Sequence, residues 1–251
     1  MKTKTFPKRP YIENIRKKNR FGYEMIVNRY KKAVELLSDN SFVLDCACGS
    51  GYGSSILASA GKEVIGIDVS LRDVKHAKRT YGNGNCTFVQ ADSRALPFKD
   101  GSFDCACSIE TIEHIEKKDH RKFLNELKRT LKPEGTLVIS TPNKGLIPYP
   151  TSGHVGELTE KEFDKLLSEN FTSVKRFGQG IVDGSIVSKF LRFTKTAVCS
   201  FGCLDGMRQL LPGPILSRIS GKMRGNLFEI QMRESMEGKP LTFYSKCEKP
   251  K

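Results

Sequence analysis

Two groups of residues have types and spacings suited to chemistry. In the first, Val43-Leu44-Asp45-Cys46-Ala47-Cys48-Gly49-Ser50-Gly51-Tyr52-Gly53 precedes Val64-Ile65-Gly66-Ile67-Asp68. Glycines let backbone N–H groups approach a ligand at a helix N-terminus, and an acid about twenty residues on suits ribose hydroxyls. Gly49 and Asp68 meet that spacing, so the run reads as a nucleotide site. In the second group, Glu110, Glu113 and His114 stand at i, i+3 and i+4. On a helix that spacing puts two carboxylates and an imidazole on one face. A further histidine, His154, lies downstream in a His154-Val155-Gly156-Glu157 run. Oxygen and nitrogen donors together suit magnesium, manganese, iron or zinc better than calcium. Without a metal, His114 or His154 would serve as general base, because imidazole titrates near neutral pH. The plainer alternative pairs Glu113 with Lys117 and Glu110 with His114, and has His154 brace a loop.

Apolar runs bounded by turn residues place strands near 42–46, 63–68, 86–90, 103–108, 136–141, 173–177 and 241–247. Met25, Ile26, Tyr30, Ala33, Leu36 and Leu37 recur at helical spacing and predict a helix over Tyr23 to Leu37. Strands alternating with helices imply an α/β fold with a mostly parallel sheet covered on both faces. The expected organisation is a basic N-terminal arm over 1–21, a core over 22–177, an inserted helical segment over 178–240, and a final strand and tail over 241–251. The insertion mixes Phe190, Leu191, Phe193, Leu210, Leu211, Ile215, Leu216 and Ile219 with basic residues, broken by Pro212-Gly213-Pro214. It reads as a lid, with plain core or peripheral membrane contact as alternatives.

The 251 residues hold 42 Lys+Arg against 28 Asp+Glu, a net charge of +14. Residues 1–32 carry 11 basic and 2 acidic side chains and residues 175–251 carry 14 and 6, so the basicity belongs to the flanks. Such an arm steers a protein toward nucleic acid, anionic lipid or a phosphorylated substrate, or is simply a solvated tail. No apolar run approaches a transmembrane span and the N-terminus is unlike a signal peptide, which points to the cytoplasm. Of eight cysteines, Cys46, Cys48, Cys105 and Cys107 fall in or beside central strands and read as core packing. Cys199 and Cys203 lack a second ligand pair at zinc spacing and read the same way.

The glycine pattern Gly49-x-Gly51-x-Gly53 departs from the dinucleotide fingerprint, and Asp45 is an additional acid. At these residues the chain resembles the Rossmann-like, class I S-adenosylmethionine-dependent methyltransferases. Thr87 to Asp92, a strand ending in an acid, and the Leu96 to Asp104 loop and turn extend the resemblance. It implies a seven-stranded sheet and S-adenosylmethionine as cofactor. By the same resemblance, the Asp45 region with the Gly49 and Gly51 amides would hold the methionine end, and Asp68 the ribose. Asp92 and Ser93 would meet the adenine, with Val69 and Ile109 completing the pocket. As structural alternatives, the strand-ending acids cap the next helix or turn.

The Glu110-x-x-Glu113-His114 run is similar to that of ubiquinone-biosynthesis O-methyltransferases and small-RNA 2′-O-methyltransferases. The RNA group also has a Ser-Thr-Pro-Asn run followed by His-x-x-Glu-aromatic-Thr. Here Ser140-Thr141-Pro142-Asn143 precedes His154 to Thr159, with Leu158 in place of the aromatic. The resemblance implies a metal held by Glu110, Glu113, His114 and His154, with His114, His154 and Glu110 acting in catalysis. The expected activity is O-methylation of a small-molecule or glycan hydroxyl. An RNA acceptor using the basic flanks, or a cofactor-binding protein without catalysis, are the alternatives.

Overall fold

A computed structural model describes residues 12, 17, 20–145, 153–182 and 239–251. Most of the basic arm and the bulk of the 178–240 insertion, with Cys199 and Cys203, lie outside the described residues. Seven strands form one sheet: β1 (Phe42–Cys46), β2 (Glu63–Asp68), β3 (Cys86–Gln90), β4 (Phe103–Ile109), β5 (Leu131–Pro142), β6 (Phe171–Val182) and β7 (Lys239–Pro250). Their order is β3-β2-β1-β4-β5-β7-β6, parallel except for β7, which runs antiparallel between β5 and β6. The order reverses at β1 and β4, and open α/β sheets bind ligands at that switch point. The last two strands are longer than their apolar runs suggested. Lys132-Pro133-Glu134-Gly135 falls within β5 at a register shift between the Phe103–Leu131 and Cys105–Thr136 pairs.

Two apolar clusters cover the sheet. One joins Leu44, Ile67 and Ile139 to Phe123, Leu124 and Leu127 of α4 (His120–Thr130) and to Phe163 and Leu167 of α5 (Glu160–Ser168). The other joins Val43, Val64 and Val138 to α1 (Arg20–Leu36), α2 (Tyr52–Ser59) and α3 (Leu71–Tyr81). The described cysteines are free and buried within these layers, as their packing role requires. Burial pushes the thiols of Cys46, Cys48 and Cys107 well above the usual range, so they are poor nucleophiles.

The helix α1 packs on α2 so closely that a Cβ on Gly53 would lie 2.0 Å from the Tyr30 ring. Its end is held by Lys62, whose wholly buried ammonium donates to the Ser38 carbonyl at 2.9 Å. A cation on the last carbonyls suits the helix dipole.

Asp45 braces the same layer from below. Its wholly buried carboxyl accepts from Ser54 Oγ at 2.6 Å and Tyr30 Oη at 3.2 Å. Desolvation pushes its pKa up to about 7, while the hydroxyl donors act in the opposite direction. The folded state therefore binds more protons than the unfolded chain between about pH 4 and 7. The stabilisation is complete below the unfolded pKa and is lost as pH rises through 7. Urea unfolding should show wild type losing stability relative to Asp45→Asn between pH 4.5 and 8, by at most about 4 kcal/mol. A pH-independent difference would contradict this.

Candidate active site

β1 ends in a turn of unusual backbone. Ala47, Gly49 and Gly51 all have positive φ, of 63°, 57° and 87°. At Gly51 glycine serves twice, because a Cβ would also meet Ala77 Cβ at 2.5 Å. Ala47 carries strain that a glycine would not. Ala47→Gly is expected to raise the unfolding free energy by about 1 kcal/mol, measured by denaturant titration. An unchanged or lower value would show that the surroundings hold Ala47 without cost.

The turn is tied to the tip of β2. Asp68 Oδ2 accepts from Gly49 N at 2.9 Å and Oδ1 from Ser70 N at 2.8 Å. The next helix is capped instead by Ser70, whose hydroxyl accepts from Asp73 N. Val69 is exposed beside Asp68, while Ile109 is buried at the end of β4. At the tip of β3, Asp92 accepts from Arg94 N, Nε and Nη2, and these contacts hold its carboxyl below the usual range. Arg94 also reaches Asp119 at 2.9 Å. Ser93 is half-buried in that turn.

The second group departs from the helical expectation. Glu110 has a φ of 52°, which turns the chain sharply after β4, and only Ile112–His114 form a 3₁₀ turn. Glu110 thus leaves the face shared by Glu113 and His114. Its Oε2 pairs with Arg29 Nη1 at 3.2 Å and its Oε1 accepts from Ser140 Oγ at 2.8 Å. The expected pairing with His114 is replaced by these contacts, and Lys117 pairs with Glu162, not Glu113.

What the fold does bring together is Glu113, His114 and His154, whose ligand atoms lie within 4.8 Å of one another. Glu110, the fourth residue expected with them, is not part of this convergence. The two imidazoles meet edge to face, centroids 4.8 Å apart. His114 Nδ1 bonds the Gly153 carbonyl at 2.9 Å and His154 Nδ1 bonds Glu157 Oε1 at 2.9 Å. With Nδ1–H donating to those oxygens, Nε2 carries the lone pair of each ring, the arrangement seen behind metal-bound histidines. Glu113 is buried, accepts from Thr141 Oγ1 at 3.1 Å, and has its pKa driven well above the usual range by desolvation and the nearby Glu110 charge.

The His154 loop is pinned by main-chain bonds. Glu113 O accepts from Val155 N and Gly156 N, both at 2.9 Å. A Cβ on Gly156 would lie 1.8 Å from Ile115 O, so glycine is what allows the loop to close on the turn. Thr159 and Glu162 then start α5 with a capping box.

An open sheet of this order, with a glycine turn off β1, an acid at the tip of β2 and a polar cluster beyond β4, defines a Rossmann-like domain with a ligand crevice at its switch point. Residues 44–139 match the family model described as a methyltransferase domain. The chain is 27% identical over 203 residues to a Mycobacterium tuberculosis protein named "Probable S-adenosylmethionine-dependent methyltransferase", covering 79% of this chain and 62% of that one. It is 32% identical over 163 residues to the 2-methyl-6-phytyl-1,4-hydroquinone methyltransferase of Synechocystis, covering 62% and 51%. It thus spans less than two thirds of these relatives. The structure of a SAM-dependent methyltransferase from Archaeoglobus fulgidus superposes with a TM-score of 0.62 at 18% identity, over 96% of this chain and 100% of that one. Residues 44–139 thus match a methyltransferase domain, set in a Rossmann-like fold. Among the described residues, no helix is long and apolar enough to cross a membrane.

Arg29, Tyr30 and Ala47 touch or form part of the candidate site and were not singled out for it by the sequence. Only Ala47 left a signal, a small residue inside the glycine turn.

Proposed function

We propose that this protein transfers the methyl group of S-adenosylmethionine to a hydroxyl of a small-molecule or glycan acceptor. The observation that carries this reading is the convergence of Glu113, His114 and His154 beside the end of β4. β4 neighbours β1, so the cluster and the glycine turn leave the same edge of the sheet. Support also comes from an Aspergillus sclerotiorum relative named as an O-methyltransferase, 33% identical over 108 residues.

In this reading, the Gly49 and Gly51 amides hold the methionine end, Asp68 the ribose, and Asp92 with Ser93 the adenine edge. The cofactor supplies an electrophilic methyl on a sulfonium. With the cofactor bound, an acceptor oxygen would take that methyl in line, the O–CH3 bond forming as the S–CH3 bond breaks and the thioether leaves. Without a metal, His114 or His154 would take the hydroxyl proton at Nε2. The donor set also fits a divalent metal: a buried carboxylate and two imidazoles whose Nδ1 atoms are already engaged. Such an ion would acidify and aim the hydroxyl. Six free, buried cysteines favour a reducing compartment, in keeping with the cytoplasm.

The test uses methyl-tritiated cofactor with a cell extract resolved into small-molecule, glycan, lipid and RNA fractions. Label in small molecules or glycans is expected, lost in EDTA and restored by a divalent ion. Label confined to RNA would replace the acceptor reading, and full activity in EDTA would remove the metal.

A further inference from the structure

We propose that Arg29 selects the metal by holding Glu110 out of the ligand set, leaving a two-histidine, one-carboxylate site that takes manganese, iron, cobalt or zinc in preference to magnesium. This rests on the metal reading of Glu113, His114 and His154 given above.

Arg29 is almost fully buried, and its guanidinium is engaged on three sides. Nε donates to Gln179 Oε1 on β6 at 2.7 Å, Nη2 to Thr242 Oγ1 on β7 at 3.2 Å, and Nη1 pairs with Glu110. The helix that carries it is latched as well, Tyr244 Oη donating to the Arg29 carbonyl at 2.9 Å and Gln179 Nε2 to the Met25 carbonyl at 3.0 Å. A guanidinium fixed in this way cannot follow Glu110 if the carboxylate swings away. Ser140 holds the other oxygen of Glu110, and Glu110 is not among the residues whose ligand atoms converge with those of Glu113 and His114.

Two consequences follow for the cluster. Magnesium favours oxygen ligands in near-ideal octahedral geometry, and a set with one carboxylate and two imidazoles meets that poorly. Imidazole suits the later divalent ions, and a two-histidine, one-carboxylate set leaves positions open on the ion. With Glu110 withdrawn, those positions are available to acceptor oxygens, so Arg29 sets both which ion is held and how much of it the acceptor can reach.

The experiment titrates the chelator-stripped, full-length protein with Mn2+, following loss of the free-ion paramagnetic resonance signal, with Mg2+ as competitor. Wild type should bind Mn2+ and keep it against about a hundredfold excess of Mg2+. Glu110→Gln should leave the Mn2+ dissociation constant within about twofold, whereas Glu113→Gln should raise it more than about tenfold. Arg29→Met should shift the Mg2+ to Mn2+ preference at least about tenfold toward Mg2+. The Glu110→Gln comparison stands even if Arg29→Met fails to fold. Equal losses in Glu110→Gln and Glu113→Gln, ready displacement by Mg2+, or an unchanged preference in folded Arg29→Met would overturn the proposal alone. No Mn2+ binding by wild type that still binds S-adenosylmethionine would overturn the metal reading and this proposal with it.

Discussion

Glu113→Gln should yield a protein that is more stable than wild type and yet about 10²- to 10⁴-fold lower in kcat/KM. Glu113 is buried at 1% exposure, and desolvation together with the Glu110 charge disfavours its ionised form. Glutamine keeps the shape, accepts the Thr141 hydrogen bond and removes both penalties. What it cannot supply is the carboxylate that would serve as the anionic ligand of an ion held with His114 and His154 in the proposed site. Initial rates, cofactor affinity by calorimetry and thermal unfolding together check the claim. Cofactor affinity should stay within about twofold, because the glycine turn and Asp68 are untouched. Retained activity would show that Glu113 only shapes the 3₁₀ turn.

The second large effect is expected at Asp68. Asp68→Ala should weaken S-adenosylmethionine binding at least about 100-fold, or about 2.8 kcal/mol, with the sheet intact. The carboxylate accepts from Gly49 N and Ser70 N, so its loss releases the glycine turn as well as the ribose contact proposed for it. Hydrogen bonds to a charged acceptor are the strong ones. Asp92→Ala should cost less, because that carboxylate is about 40% exposed and already shared with Arg94. Calorimetry on both variants tests the order, and a larger loss in Asp92→Ala would reverse the assignment.

Much of this was legible in the sequence because it depends on local pattern. Apolar runs ending in Asp45, Asp68 and Asp92 marked the first three strands and the edge where a ligand sits, and the Gly49 to Asp68 spacing survives as a direct hydrogen bond. The helix α1 was found from its apolar repeat. The fate of Glu110 was not legible. A spacing of i, i+3, i+4 describes one face only if the helix is continuous, and the positive φ at Glu110 breaks it before Glu113. Its true partner, Arg29, lies far away in sequence and is positioned by Gln179 and Thr242, which are more distant still. His154 was found from a motif, but its placement depends on Gly156 fitting under Ile115, a contact no spacing rule contains.

The antiparallel β7 has a consequence for how the chain acquires its shape during synthesis. β6 makes its pairings in the sheet with β7, and β7 is also the strand that joins it to β5. Until residues 239–250 emerge from the ribosome, the sheet must end at β5, with β6 unpaired and Arg29 lacking its Thr242 partner. The glycine turn, built from β1 and β2, requires none of those late residues. A nascent chain stalled before β7 should therefore hold the glycine turn in near-final form while the anchoring of α1, and with it the hold of Arg29 on Glu110, is incomplete.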